Sequence, residues 1–191
     1  MLDFLINIDI ELFLFLNSLN SSFFDWLMFQ ISAKATWVPL YLATMLFVWK
    51  KFGWKKALFI LLAFIIVIFI GDQSSVHLFK FKFERLRPCF NPNIADIVHT
   101  VKLPNGRFGF VSSHATNSFA FAVLASLFFK NIKFTIPIII WAAIVSYSRV
   151  YLGVHYPADI FGGAILGVLS AYIVYFAFNY IESRFNKKKS L

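Results

Sequence analysis

Cysteine is almost missing from this chain. Cys89 stands alone, so no intrachain disulfide can form and no cysteine cluster can hold a metal. Charge is scarce too, at 14% of residues where a soluble domain carries about a quarter. The first residues hold Asp3, Asp9 and Glu11 with no basic start, so they do not read as a cleaved signal peptide. No internal repeat or low-complexity tract is visible. What fills the space is apolar: 60% of residues are hydrophobic and 26 are phenylalanine, a balance that points to lipid as the solvent. At 191 residues, the chain reads as one membrane-embedded domain, residues 1–191.

The charge that is present is mostly basic, for a net +9. Its placement decides what it means. Lys50, Lys51, Lys55 and Lys56 surround the turn between Trp49 and Trp54, and Lys187, Lys188 and Lys189 lie in the tail. Both groups flank long apolar runs, where the positive-inside rule puts them on the cytoplasmic side. No basic face with interleaved aromatics stands apart from them, which excludes nucleic acid as a partner.

Residues 4–19 mix apolar and acidic positions and are too short and polar to cross about 30 Å of hydrocarbon, so they read as an interfacial helix. Residues 22–34 are open between a continuing helix and a separate turn, with Ser32 and Lys34 favouring a break. Apolar spans follow at 35–51, 54–79, 113–130, 133–151 and 156–180. Between the second and third lies a stretch from Lys80 to Val111 whose Pro88, Pro92, Pro104, Asn105 and Gly106 mark a solvent-side loop. The expected fold is an all-α polytopic membrane helix bundle of about five to six spans with an amino-terminal interfacial helix. With the lysine clusters cytoplasmic, the 80–111 loop and residues 149–156 face out, which makes the expected location the plasma (inner) membrane. Gly163 and Gly167, four apart in the last span, suit close helix packing.

Three charged patches fall on that outer face. The first is Lys80–Phe81–Lys82–Phe83–Glu84–Arg85–Leu86–Arg87–Pro88; if the helix runs on to the proline, Lys80 and Arg87 lie two turns apart along one face, roughly 10 Å. The second is Val111–Ser112–Ser113–His114, and the third runs from Ser148–Arg149 through His155 to Asp159. Each piece has an ordinary explanation: a snorkelling cation for Lys80 or Arg87, a capping histidine for His114, a surface pair for His155 and Asp159. Together they do not. Lys80, Arg87 and Arg149 at one face repel one another unless an anion sits among them. Ser112 offers a helix N-cap, and the N–H groups after it form a phosphate cradle. Pro157 suits a first helical turn, with Asp159 inside it, and a helical i, i+4 spacing would let Asp159 accept the imidazole N–H of His155. The other ring nitrogen is then free to attack phosphorus, and His114 is placed to protonate the departing oxygen.

These patches resemble the signature of the type 2 phosphatidic acid phosphatase superfamily, the membrane lipid phosphate phosphatases. The first motif, K-x6-R-P, matches Lys80, Arg87 and Pro88; the third, S-R-x5-H-x3-D, matches Ser148, Arg149, His155 and Asp159. The second, P-S-G-H, stands here as Val111–Ser112–Ser113–His114, losing proline and glycine but keeping serine and histidine. The motif core spans residues 80–159. The resemblance implies a phosphohistidine on His155, orientation by Asp159, and His114 as general acid and later water activator. Lys80, Arg87, Arg149 and the Ser112–Ser113 amides would hold the phosphoryl oxygens. It implies no metal or other cofactor. His77 and His99 match no motif, and the four histidines lack the short paired spacing of a zinc site. Asp72, a carboxylate within a span, is either functional or a buried packing group.

The expected activity is hydrolysis of a lipid phosphate or diphosphate, with the lipid bilayer holding the substrate's tail and no obligate protein partner evident. Undecaprenyl diphosphate is the first reading of the substrate. Lipid A, phosphatidylglycerophosphate and transfer of the phosphoryl group to a second lipid are the alternatives. A non-enzymatic membrane protein is set aside because His155, His114 and Asp159 are all intact.

Overall fold

A computed structural model describes residues 2–189, with side-chain surroundings for residues 3–185. Helix α1 (Leu2–Ser18) is followed at once by α2 (Ser22–Ser32), whose N-cap Ser21 accepts from the Phe24 amide. The two axes meet at 116°. The break that Ser32 and Lys34 suggested lies after α2, and a second one separates α2 from α1.

Helix α3 (Val38–Ser74) contains two of the expected spans in one assignment, divided at Gly53, whose φ of 77° no helical residue adopts. The chain runs on through a wide π-turn (Ser75–Lys80) into the short turn α4 (Phe81–Phe83) and then leaves helix at Glu84, which sits in the left-handed region at φ 45°. A loop with two 3₁₀ turns leads to α5 (Ser113–Phe129), α6 (Ile132–Tyr151) and α7 (Pro157–Lys189). The described residues form an all-helical membrane bundle, as expected.

The packing is that of a protein dissolved in lipid. Helix α5 sits in the middle, and its buried positions are mostly small: Ala115, Thr116, Ser118, Ala120, Ala122 and Ala125. Small faces let backbones approach closely, which is how helices associate where surrounding lipid is as apolar as leucine. Helix α7 uses the Gly163–Gly167 spacing for this. A Cβ on Gly163 would stand 2.6 Å from the Ser112 carbonyl, and one on Gly167 would collide with the Thr116 carbonyl. The large side chains point outward: Phe69, Phe161, Ile173 and Phe176 are each more than 60% exposed. Aromatic edges fill the remaining core, with Phe121 against Tyr41 at 4.9 Å and Phe64 at 5.0 Å.

The basic clusters share one end of the bundle. Lys51 donates to the Phe129 carbonyl at 2.5 Å, and Lys56 pairs with Glu182 at 2.5 Å. The three motif patches lie at the other end, where α5 and α7 begin and α6 finishes. Helix α1 docks there as well, because Asp9 accepts from the Ala158 amide at the start of α7, 2.8 Å away.

Candidate active site

The first motif does not lie on a continuous helix. Residues before a proline are pushed out of the α region, and here the helix ends four residues before Pro88. Leu86 instead bridges Phe108, with Arg87 N donating to Arg107 O (2.9 Å) and Gly109 N to Arg85 O (2.8 Å). Lys80 and Arg87 therefore do not share a helical face. The π-turn aims Lys80 inward, and a loop held by the single Leu86–Phe108 bridge delivers Arg87 separately.

Lys80 Nζ donates to Ser113 Oγ at 2.7 Å, and Ser113 Oγ shares a second hydrogen bond with Ser75 Oγ at 2.6 Å. Ser113 thus engages through its hydroxyl as well as offering an amide. Ser112 is the N-cap of α5, accepting from Ala115 N at 3.5 Å, and is fully buried.

His155 lies in the loop just before α7, so its contact with Asp159 is not the helical pair that the spacing suggested. Asp159 is folded back over its own helix start. Its Oδ2 accepts from the Tyr156 amide at 3.0 Å, the acidic half of a capping box, and so meets His155 Nδ1 at 3.3 Å. Both side chains are buried, at 2% and 0% exposure. Arg87 Nη1 lies 2.9 Å from His155 Nε2 and 3.2 Å from the Val154 carbonyl. A guanidinium only donates. Nε2 therefore accepts, the ring proton sits on Nδ1 facing the carboxylate, and the lone pair points to the cations. Burial first, then the charges of Arg87, Arg149, Lys80 and Arg85, hold His155 well below the ordinary histidine range. It is a neutral imidazole at pH 7.

Arg149 ends α6 and donates to Ser32 Oγ at the end of α2. The Nε atoms of Arg87 and Arg149 are both buried without a partner. Among the described residues, Lys80, Arg87 and Arg149 make no ion pair with a carboxylate. Buried donors without acceptors are rare in folded proteins; here two guanidiniums carry one each, and with Lys80 they place three cations without carboxylate partners near a neutral imidazole, an arrangement chemically suited to an anion. His114 lines two cavities at once. One, about 310 Å³, has a mixed lining in which Lys34, Lys102 and Arg149 stand among apolar side chains. The other is an apolar groove of about 600 Å³ running along α3 past Trp37, Tyr41 and Phe69.

Two charged residues at this site were not singled out from the sequence. Arg85 bridges two carboxylates, reaching Asp159 Oδ1 at 3.0 Å and Asp9 Oδ2 at 2.6 Å, and lies over the Tyr156 ring at 4.1 Å. Burial pushes its basicity down, but the charges of Asp159 and Asp9 more than offset that and raise it. The available signals were Arg85's place two residues before Arg87 and Asp9, one of three acids in an otherwise apolar helix. The other residues weighed earlier lie off this cluster. His99 pairs with Asp25 at 2.8 Å, His77 stacks loosely on Phe81, and Asp72 accepts from Asn117 at 3.4 Å along the apolar groove.

Comparison with known proteins gives three findings. The model of the PAP2 superfamily matches residues 56–183. A lipid A 4'-phosphatase of Bacteroides thetaiotaomicron is 39% identical over 189 residues, covering 96% of this chain and 83% of that protein; an undecaprenyl-diphosphatase of Sulfolobus acidocaldarius is 28% identical over 85% of this chain and 74% of its own length. Among solved structures, a transmembrane PAP2-type phosphatidylglycerolphosphate phosphatase from Bacillus subtilis superposes with a TM-score of 0.70 at 23% identity, over 93% of this chain and 87% of that one.

Proposed function

The chain belongs to the PAP2 superfamily and is a lipid phosphatase, and from that premise we propose that it removes a phosphate from a lipid A-type glycolipid at the extracytoplasmic face through a phosphohistidine on His155. The expectation that placed undecaprenyl diphosphate first is revised. The relative named for lipid A matches at 39% identity across nearly the whole chain, the one named for undecaprenyl diphosphate at 28%.

The observation that carries the mechanism is the His155 tautomer. With Nδ1–H toward Asp159 at 3.3 Å and Nε2 toward the cations, the imidazole can attack phosphorus without first losing a proton. Arg87 now donates to Nε2, so an arriving phosphate takes over that N–H and uncovers the lone pair. Lys80, Arg87, Arg149 and the Ser113 amide hold the non-bridging oxygens as charge shifts in the transition state; the Ser112 amide, expected to join them, is instead donated to the Asp159 carbonyl at 3.0 Å and ties α5 to the start of α7. The P–O bond to the lipid breaks as the N–P bond forms, and His114, which takes up a proton once the phosphate anion offsets the surrounding cations, gives that proton to the leaving oxygen and returns to neutral imidazole. Water, deprotonated by His114, then attacks the phosphohistidine and releases inorganic phosphate. Asp159 keeps the ring oriented through both steps. The apolar groove beside His114 lets the acyl chains stay in the bilayer side of the protein while the head group reaches the cations.

Phosphate release by purified protein in detergent, from lipid A, undecaprenyl diphosphate and phosphatidylglycerophosphate, tests this. Wild type should be fastest on lipid A, and His155→Ala should fall to background on all three. Equal rates for wild type and His155→Ala would remove the enzymatic reading of this site. A faster rate on undecaprenyl diphosphate would reverse the substrate order.

A further inference from the structure

The 310 Å³ cavity beside His114 continues past the residues that the phosphoryl group needs. Beyond His114 and Arg149 it is bordered by Lys34 and Lys102. Lys34 comes from the 3₁₀ turn after α2, and Lys102 from the long loop before α5. No carboxylate lines this cavity, and among the described residues neither lysine takes part in an ion pair. Lys102 is held over the Phe29 ring at 5.6 Å, which fixes the charge at the rim without neutralising it. The partnerless Nε of Arg149 is buried on the same side. At about 310 Å³ the cavity has room for more than one phosphoryl group. Lys34 also borders the apolar groove, so it stands where a head group would join its tails.

We propose that Lys34 and Lys102 form a second anion-binding subsite, which holds a second phosphate of the same lipid while the first lies against His155. This rests on the lipid-phosphatase reading above and adds to it: the preferred substrate carries two separate anionic groups on one head group. Lys34 and Lys102 are solvent-exposed cations at the rim of a cavity shared with His114 and Arg149, and they gain an ion pair when the substrate brings its own second charge. A lipid with a single phosphate leaves them unpaired.

The full chain in detergent micelles is assayed on a disaccharide lipid with two phosphates and on the same lipid lacking the phosphate that is not hydrolysed. Wild type should prefer the first by at least tenfold in kcat/KM, chiefly through KM. The double substitution Lys34→Gln with Lys102→Gln should erase most of that preference, while Lys34→Arg with Lys102→Arg keeps it. Inorganic phosphate is tested as an inhibitor in parallel. Should the glutamine variant lose phosphate inhibition yet keep the wild-type preference, the lysines serve a free anion and the proposal fails. It also fails if wild type cleaves both lipids equally well. If wild type cleaves neither, the phosphatase reading falls first and takes the subsite with it.

Discussion

Replacing Asp159 by asparagine tests the arrangement of His155 without changing the size of the side chain. Both carboxylate oxygens accept in the native site: Oδ1 from Arg85 at 3.0 Å, Oδ2 from the Tyr156 amide at 3.0 Å and from His155 Nδ1 at 3.3 Å. Asparagine has one acceptor and one NH₂ group, so one side must fail. With the oxygen toward Arg85, the NH₂ faces the Tyr156 amide and His155. The ring must then accept at Nδ1 and carry its proton on Nε2, where it confronts the Arg87 N–H now 2.9 Å away. With the oxygen toward His155, the NH₂ meets the Arg85 guanidinium and two donors oppose each other. Each arrangement sets a donor against a guanidinium, Arg87 in the first and Arg85 in the second; the first also inverts the tautomer and leaves no lone pair for phosphorus, and it is the outcome expected here because it keeps the Arg85 hydrogen bond. A wrong-tautomer histidine in a catalytic triad costs about 10⁴-fold in kcat; here the expected fall is about 10³–10⁴-fold, or roughly 4–5.5 kcal/mol of barrier. The assay is phosphate release from lipid substrate in detergent, with thermal unfolding of the same preparations. A variant that stays folded and keeps kcat within tenfold of wild type refutes the tautomer assignment and Asp159's orienting role.

Other outcomes follow from the same geometry. Asp9→Asn keeps one acceptor oxygen where the carboxylate had two, so either Arg85 or the Ala158 amide loses its partner; loss of a hydrogen bond to a charged group should cost about 1.5–3 kcal/mol of stability, read by thermal unfolding, with kcat reduced about tenfold. Unfolding as a function of pH should show the burial of His155. Its native basicity lies below the ordinary value of 6.5, so below that pH the unfolded chain takes up a proton that the folded one refuses. Stability is therefore full above about pH 6.5 and falls by up to about 1.4 kcal/mol per pH unit as pH drops. His155→Asn should lack this component, and a wild-type-minus-variant difference that is flat between pH 6.5 and 5 would contradict it. Gly167→Leu must push α7 off α5, since a Cβ already meets the Thr116 carbonyl and the Ala120 amide. A loss of about 1–3 kcal/mol or more is expected, with little loss expected for Ile173→Leu on the exposed lipid face.

Much of this site was legible along the chain because its chemistry is concentrated in short runs. Lys80, Arg87, Ser112, His114, Arg149, His155 and Asp159 are the few polar residues at the ends of apolar segments, where lipid leaves charged side chains nowhere else to go. The spans were readable for the same reason: hydropathy records which solvent a segment lies in. Glycine spacing likewise announced a close helix contact, since only a residue without Cβ tolerates a carbonyl at that range, although its partner, α5, came from the structure.

What the sequence did not carry is how those segments turn and meet. The helix was expected to reach Pro88, but the π-turn and left-handed Glu84 end it early and send Arg87 in from a loop. The His155–Asp159 contact looked helical by spacing and is made instead by a carboxylate folded back onto its helix start. Arg85 and Asp9 are 76 residues apart, and nothing local distinguishes their pairing from two ordinary interfacial charges. Composition and periodicity report each residue's medium; only the tertiary structure decides which distant charges become neighbours, because that depends on helix crossings that no single segment encodes.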